Sequence, residues 1–169
     1  RPESKKMGIA EDLIDTLKSL CGLLTESRIE FCLIGGLAVS ILAKPRATED
    51  IDLLVLIEES QLPSLGSLLQ RRFSVIQAAN IVRFKTATIC RTTLVPPSGK
   101  NDAPVVVDFL LADREVYREA LRDPIELIVD GVKIPVSRPE SLIRMKEISN
   151  RPQDMIDIEA VKAAMSEGA

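Results

Sequence analysis

Ile34-Gly35-Gly36-Leu37-Ala38-Val39-Ser40, followed by Arg46-Ala47-Thr48-Glu49-Asp50-Ile51-Asp52-Leu53, is the stretch on which the fold of this chain turns. Residues 31–34 form a short apolar run that ends on two glycines, as a buried strand does when it meets a tight turn. A helix over about 37–43 follows and must stop near Lys44-Pro45, because proline cannot continue it. Residues 50–57 read as the next strand. It is almost wholly apolar after its first carboxylates, which predicts a central place in a sheet. Alternate residues on a strand share a face, so Asp50 and Asp52 project together. Two like charges so placed raise each other's pKa unless a cation neutralises them, and Mg²⁺ or Mn²⁺ is the fitting partner for oxygen donors. A solvated D-x-D and an ordinary glycine turn account equally well for these residues alone.

Working outward, Ile9, Leu13, Ile14, Leu17, Leu20, Cys21 and Leu24 recur at helical spacing, predicting a first helix over about 8–26. Residues 62–71 read as helix, and 73–76, 81–87 and 89–95 as three β-rich segments. A turn-prone stretch, 96–102, precedes a strand over 105–111 that carries Asp108 among apolar residues. Asp113 is placed to cap a helix reaching about 121. Asp130-Gly131 between 127–129 and 132–136 is a two-residue hairpin signal. Ser137 with Glu140 reads as a capping box for a helix reaching about 149, and Pro152 opens a last helix to about 165. This order predicts a mixed sheet with helices, of α+β or α/β type.

Composition narrows the chemistry. The chain has 169 residues, 46% of them hydrophobic and only 3% aromatic, enough for one aliphatic core. There is no His, which removes imidazole bases, Ser-His-Asp triads and His-ligated zinc. Acid–base or metal chemistry must then run on carboxylates, Lys or the single Tyr. A net charge of −3 argues against a broad basic surface for duplex nucleic acid. Arg71, Arg72, Arg83, Lys85 and Arg91 could frame an anionic-acceptor groove or simply solvate an edge strand. Cys21, Cys32 and Cys90 lie in apolar stretches and read as buried, reduced cysteines of a cytoplasmic protein. No run of membrane-spanning length is visible. Because the chain begins on Arg1, residues 1–7 read as an appended or disordered leader, with Met7 a candidate start.

An unpaired charge at Asp108 would cost several kcal/mol if buried in its strand, unlike a third carboxylate set beside Asp50 and Asp52. Three carboxylates of this kind suit two-metal phosphoryl transfer, and glycines at a helix start suit a phosphate. The glycine pair, the segment Arg46-Ala47-Thr48-Glu49-Asp50-Ile51-Asp52 and the strand Val107-Asp108-Phe109-Leu110 together resemble the DNA polymerase β-like nucleotidyltransferase superfamily. The likeness is to its small bacterial branch of minimal and abortive-infection toxin nucleotidyltransferases. Leu142-Ile143-Arg144-Met145-Lys146-Glu147 and Arg151-Pro152-Gln153-Asp154-Met155-Ile156-Asp157 resemble the branch's lysine helix and R-P-K-D-x-x-D segment.

The resemblance implies a nucleotidyltransferase core over 8–136 and a C-terminal helical extension over 137–169 that completes the site. It implies Asp50, Asp52 and Asp108 as catalytic metal ligands, with Asp108 also the general base. Gly35 and Gly36 would cradle phosphate, Lys146 would hold the triphosphate, and Asp154 would orient it, with Asp157 a weaker candidate. Arg46 and Thr48 lie on the approach to the carboxylates and are nucleotide-binding candidates, although a rim salt bridge from Arg46 to Glu49 or Asp50 fits as well. The implied activity is transfer of a nucleoside monophosphate from a nucleoside triphosphate to tRNA, a protein or a small molecule, in a toxin-like setting with a cognate antitoxin. A catalytically silent nucleotide- or partner-binding protein of the same fold is the alternative. Leu42-Ala43-Lys44-Pro45 stands where many relatives carry His and Gly, and Ala38 where they carry a polar residue, so nucleotide preference does not carry over.

Overall fold

The computed structural model describes residues 2–95 and 103–168; the turn expected at 96–102 lies outside the described residues. A helix α1 (Pro2–Glu26) leads into β1 (Phe31–Ile34), α2 (Gly35–Leu42) and β2 (Asp50–Val55). After a 3₁₀ turn at Glu59–Gln61 come α3 (Leu62–Leu69), β3 (Ser74–Arg83), β4 (Thr88–Val95) and β5 (Val105–Leu111). The chain then forms α4 (Glu115–Arg122), the hairpin β6 (Ile125–Val129) and β7 (Val132–Val136), and the helices α5 (Pro139–Ser149) and α6 (Pro152–Glu167). The α+β mixed sheet expected from the sequence is present, as seven strands in the order β3-β4-β5-β2-β1-β7-β6.

β2 lies in the middle of this sheet, as its apolar run predicts, parallel to β5 and antiparallel to β1. β1 is four residues long and buried throughout, and its other edge pairs in parallel with β7. Ile51, Leu53 and Val55 share one sheet face with Val107, Phe109 and Leu111 in register beside them, and all six are buried. The opposite face carries Asp50, Asp52 and Asp108. Along α1, Leu13, Leu17, Leu20, Cys21 and Leu24 are buried at the predicted spacing. Cys21 and Cys32 are free thiols, pushed up to about 12 by burial, which keeps them unreactive. Among the described residues no helix is long and apolar enough to cross a membrane.

Several local expectations change. Helix α1 starts at Pro2, ahead of the start near residue 8 that the apolar spacing predicts. The segments 73–76 and 81–87 belong largely to one strand, β3, with register shifts between Val75, Gln77 and Asn80 where it bends along β4. Asp113 does not cap α4; Arg114 holds that position without a side-chain bond. Ser137 does not cap α5 either. Arg138 is the N-cap, while Ser137 is wholly buried and its hydroxyl donates to the Arg138 carbonyl. The Asp130-Gly131 turn stands, both residues at positive φ (50° and 80°), as a two-residue hairpin of this twist requires.

Candidate active site

The pairing of β2 with β5 sets Asp52 directly opposite Asp108 and Asp50 opposite Val106. Neighbouring strands lie about 4.8 Å apart, so the Asp52 and Asp108 carboxylates emerge side by side on the same face. Burial first, then the charges of Asp108 and Asp50, push the Asp52 carboxyl up to about 7. Asp50 is raised as well, by burial and then by Asp108. The reason for both glycines lies in what fills the space beside them. A Cβ on Gly35, which has φ +73°, would meet Asp52 Oδ2 at 2.1 Å. A Cβ on Gly36 would meet Arg46 Nη2 at 2.5 Å and Cζ at 2.9 Å. Helix α2 starts on Gly35 itself, two residues earlier than expected. Its N-terminal turn has no side-chain cap, so its first amides keep donor capacity at the cleft.

Asp108 is buried, and its carboxylate is held by a guanidinium from the next strand. Arg91 stands opposite it across the β4–β5 pairing and donates from Nε to Oδ1 (2.8 Å) and from Nη2 to Oδ2 (2.9 Å). The bidentate bond holds Arg91 more firmly protonated. Among the described residues no three Cys, Asp or Glu side chains converge into a closed metal-holding cluster. The donor set nonetheless fits a hard cation in chemistry: three carboxylates on one face, two of them raised by burial and then by their carboxylate neighbours. Sequence reading left Arg91 among scattered basic residues, since nothing in the sequence gives the register of β4 on β5. Of the others in that group, Arg72 pairs with Glu26 and Arg83 with Glu59, away from the carboxylates.

The C-terminal helices bring cations to the same place. Lys146 is buried, with Nζ 2.8 Å from Asp157 Oδ2 and 3.4 Å from Asp154 Oδ1. Asp154 also accepts from Ser149 Oγ (2.6 Å) and from the Arg151 amide (2.9 Å). Burial alone would raise Asp154 and Asp157, but these hydrogen bonds and the charge of Lys146 outweigh it and hold both low. Arg46 does not pair with Glu49 or Asp50. Its Nη2 donates to Asp157 Oδ2 at 3.1 Å, with Nε 3.0 Å from Oδ1. Asp157, the weaker candidate in sequence, is therefore the hub that ties Arg46, Lys146 and Gln153 together. Thr48 lies on the cleft wall, its hydroxyl 3.4 Å from the Asp50 carbonyl.

Two cavities meet at this cluster. An open polar cleft of about 610 Å³ is lined by Gly35, Gly36, Arg46, Thr48, Asp50 and Arg91, among others. A narrower slot of about 130 Å³ runs from the same carboxylates between the sheet and helices α4 and α5. Gly35, Asp52, Asp108, Lys146, Arg151 and Asp154 border both. A larger depression of about 760 Å³ between α3 and the β3–β4 ribbon has, among the described residues, only Glu59 as a charged lining residue and offers no comparable chemistry.

Residues 13–169 match the family model described as "Nucleotidyl transferase of unknown function (DUF2204)". No curated protein matches the sequence. Among solved structures, an antigenic nucleotidyltransferase-like protein from Paracoccidioides brasiliensis is similar at 22% identity and a TM-score of 0.62, over 89% of this chain and 75% of that one. A Thermotoga maritima protein described as a nucleotidyltransferase is similar at 16% identity and 0.56, over 93% and 94%. The lincosamide antibiotic adenylyltransferase LnuA, solved with lincomycin bound, is similar at 14% identity and 0.50, over 86% and 94%. At these identities the likeness is one of fold.

Proposed function

Because the chain belongs to this nucleotidyl transferase family, we propose that it moves a nucleoside monophosphate from a nucleoside triphosphate to an acceptor hydroxyl. The observation that carries this is the register of β2 on β5, which sets Asp52 beside Asp108 at the junction of a polar cleft and a slot. The triphosphate lies in the cleft, where the uncapped N-terminal turn of α2 at Gly35 and Gly36 offers amide donors. Arg46, Lys146 and Arg151 set positive charge around the phosphates, with Thr48 at the edge. Asp154 and Asp157 hold Lys146 in place rather than touching substrate. Asp50, Asp52 and Asp108 would hold magnesium or manganese, which when bound neutralises phosphate charge and activates the attacking oxygen. Asp108 takes the acceptor proton once Arg91 releases its carboxylate.

A catalytically silent binding protein has one observation in its favour, the bidentate grip of Arg91 on Asp108. Incubation with each α-labelled nucleoside triphosphate, Mg²⁺ and cell extract separates the two. Label appearing on tRNA, protein or a small molecule, and lost in Asp52→Asn, supports transfer. Nucleotide binding that ignores both metal and Asp52→Asn, with no label transferred, sinks it.

A further inference from the structure

The acceptor side of the site has a shape of its own. The slot's walls are Ala87 from the β3–β4 turn, Ile89 and Leu110 from the sheet, Tyr117 from α4, and Leu142 and Met145 from α5. Its charged residues are the ones it shares with the cleft at their common border. The Tyr117 hydroxyl is spent on the Thr86 carbonyl at 2.6 Å, so the ring contributes an apolar wall and no free polar group. Arg114 donates to the Lys85 carbonyl at 2.8 Å, and these two bonds pin the β3–β4 turn to the start of α4. The slot is thus firmly walled, and its volume of about 130 Å³ is near the ~150 Å³ of an apolar cavity that takes benzene.

Phosphoryl transfer places attacking and leaving oxygens roughly in line through phosphorus. Lys146, Arg151 and Gly35 border both cavities, but Gly36, Arg46 and Thr48 line the cleft alone, which assigns the leaving pyrophosphate to the cleft. The slot, which also opens on Asp52 and Asp108, is then left for the attacker. We propose that the slot seats the acceptor, and that the acceptor carries its hydroxyl on an uncharged apolar body about one ring in size. This rests on the nucleotidyl-transfer reading above. The acceptor oxygen forms a bond to the α-phosphorus, the bond from that phosphorus to the bridging oxygen of pyrophosphate breaks, and the hydroxyl proton passes to Asp108. Among the described residues no charged side chain lines the slot beyond its border with the cleft, so nothing inside it is placed to pair with a charged acceptor body.

The chain carries its own reporter, since Tyr117 is the single tyrosine and there is no tryptophan. Cyclohexylmethanol, which does not absorb where tyrosine does, is titrated into the full chain while Tyr117 emission is followed. The titration is repeated with Mg²⁺ and α,β-methylene ATP, which cannot transfer its nucleotide. The expected result is a saturable emission change that persists with the analogue bound. Ala87→Leu, which fills the slot, should weaken the alcohol about tenfold or more while leaving calorimetric binding of the analogue intact. Met145→Ala, which enlarges the slot, should shift preference toward adamantylmethanol and serves if the leucine variant does not fold. Competition between alcohol and analogue would make the slot a base pocket and overturn the proposal, as would an unsaturable response. Calorimetry of the analogue reads nucleotide binding separately, so failure of the slot is distinguishable from failure of the transferase reading.

Discussion

The Asp52 carboxylate fills the space where any side chain at position 35 would begin. Gly35→Ala adds a methyl group 2.1 Å from Oδ2 at a φ of +73°, so either the strand shifts or Asp52 leaves its place. The expected cost is about 1–3 kcal/mol, read as a lower urea midpoint, together with weaker Mn²⁺ binding by calorimetry. Asp52 also gives the metal-free protein an unusual pH response. Its carboxyl titrates at about 7 when folded against roughly 4 when unfolded. Between those values the unfolded state binds fewer protons, so this group's contribution is full below pH ~4 and fades as pH rises to ~7. Asp154 and Asp157 act oppositely, losing their contribution as pH falls through their lowered folded values. Urea midpoints at pH 5 and pH 7.5 should therefore differ less in Asp52→Asn than in the wild type. An unchanged difference would show that Asp52 is not the group responsible.

At the scale of elements, two pairings decide how the carboxylates behave. The β4–β5 register gives Arg91 a bidentate hold on Asp108, though the Arg91 side chain is 57% exposed. Asp108 itself is buried, so Arg91→Gln leaves its carboxylate without a partner beside Asp50 and Asp52 and should lower the melting temperature of the metal-free protein. The same change frees Asp108, and Mn²⁺ affinity measured by calorimetry should rise several-fold; a fall would make Arg91 a support of the metal site rather than its competitor. The α5–α6 pairing is different, because Lys146 and Asp157 are both buried. Removing one partner of such a pair strands the other, at about 3–5 kcal/mol. Asp157→Ala should lose that much in urea unfolding, and the Lys146→Met, Asp157→Leu double variant should recover part of it. Sequence periodicity placed most of these elements, because buried faces leave a pattern. It could not place Arg91, whose meaning depends on strand register, nor give Arg46 its partner in α6, far along the chain. The two helix caps failed for a related reason: Ser137 and Asp113 have suitable side chains, but tertiary packing moved each helix start one residue on.

Across the whole molecule, the core strands supply acids and the C-terminal helices supply balancing cations. The carboxylate motifs and the lysine helix were legible because each is local in sequence. The slot was not, since its walls come from the β3–β4 turn, the sheet, α4 and α5 and share no spacing that a linear reading could detect. The Arg46–Asp157 pair joins the loop before β2 to α6 and closes the molecule across the cleft. A chain shortened to end before Pro152 should keep the sheet, by far-ultraviolet circular dichroism, yet lose Mg²⁺-dependent nucleotide binding. Retained binding would show that α6 is dispensable.

That closure has a consequence for how the molecule comes into being. Synthesis runs from the amino end, so Asp50, Asp52 and Asp108 emerge before Lys146, Arg151 and the acids that hold them. A nascent chain with its sheet formed already holds Asp108 through Arg91, while Asp52 still lacks the charges of Lys146 and Arg151. Helices α5 and α6 are thus a delayed electrical counterweight, and the site cannot ripen until both have left the ribosome.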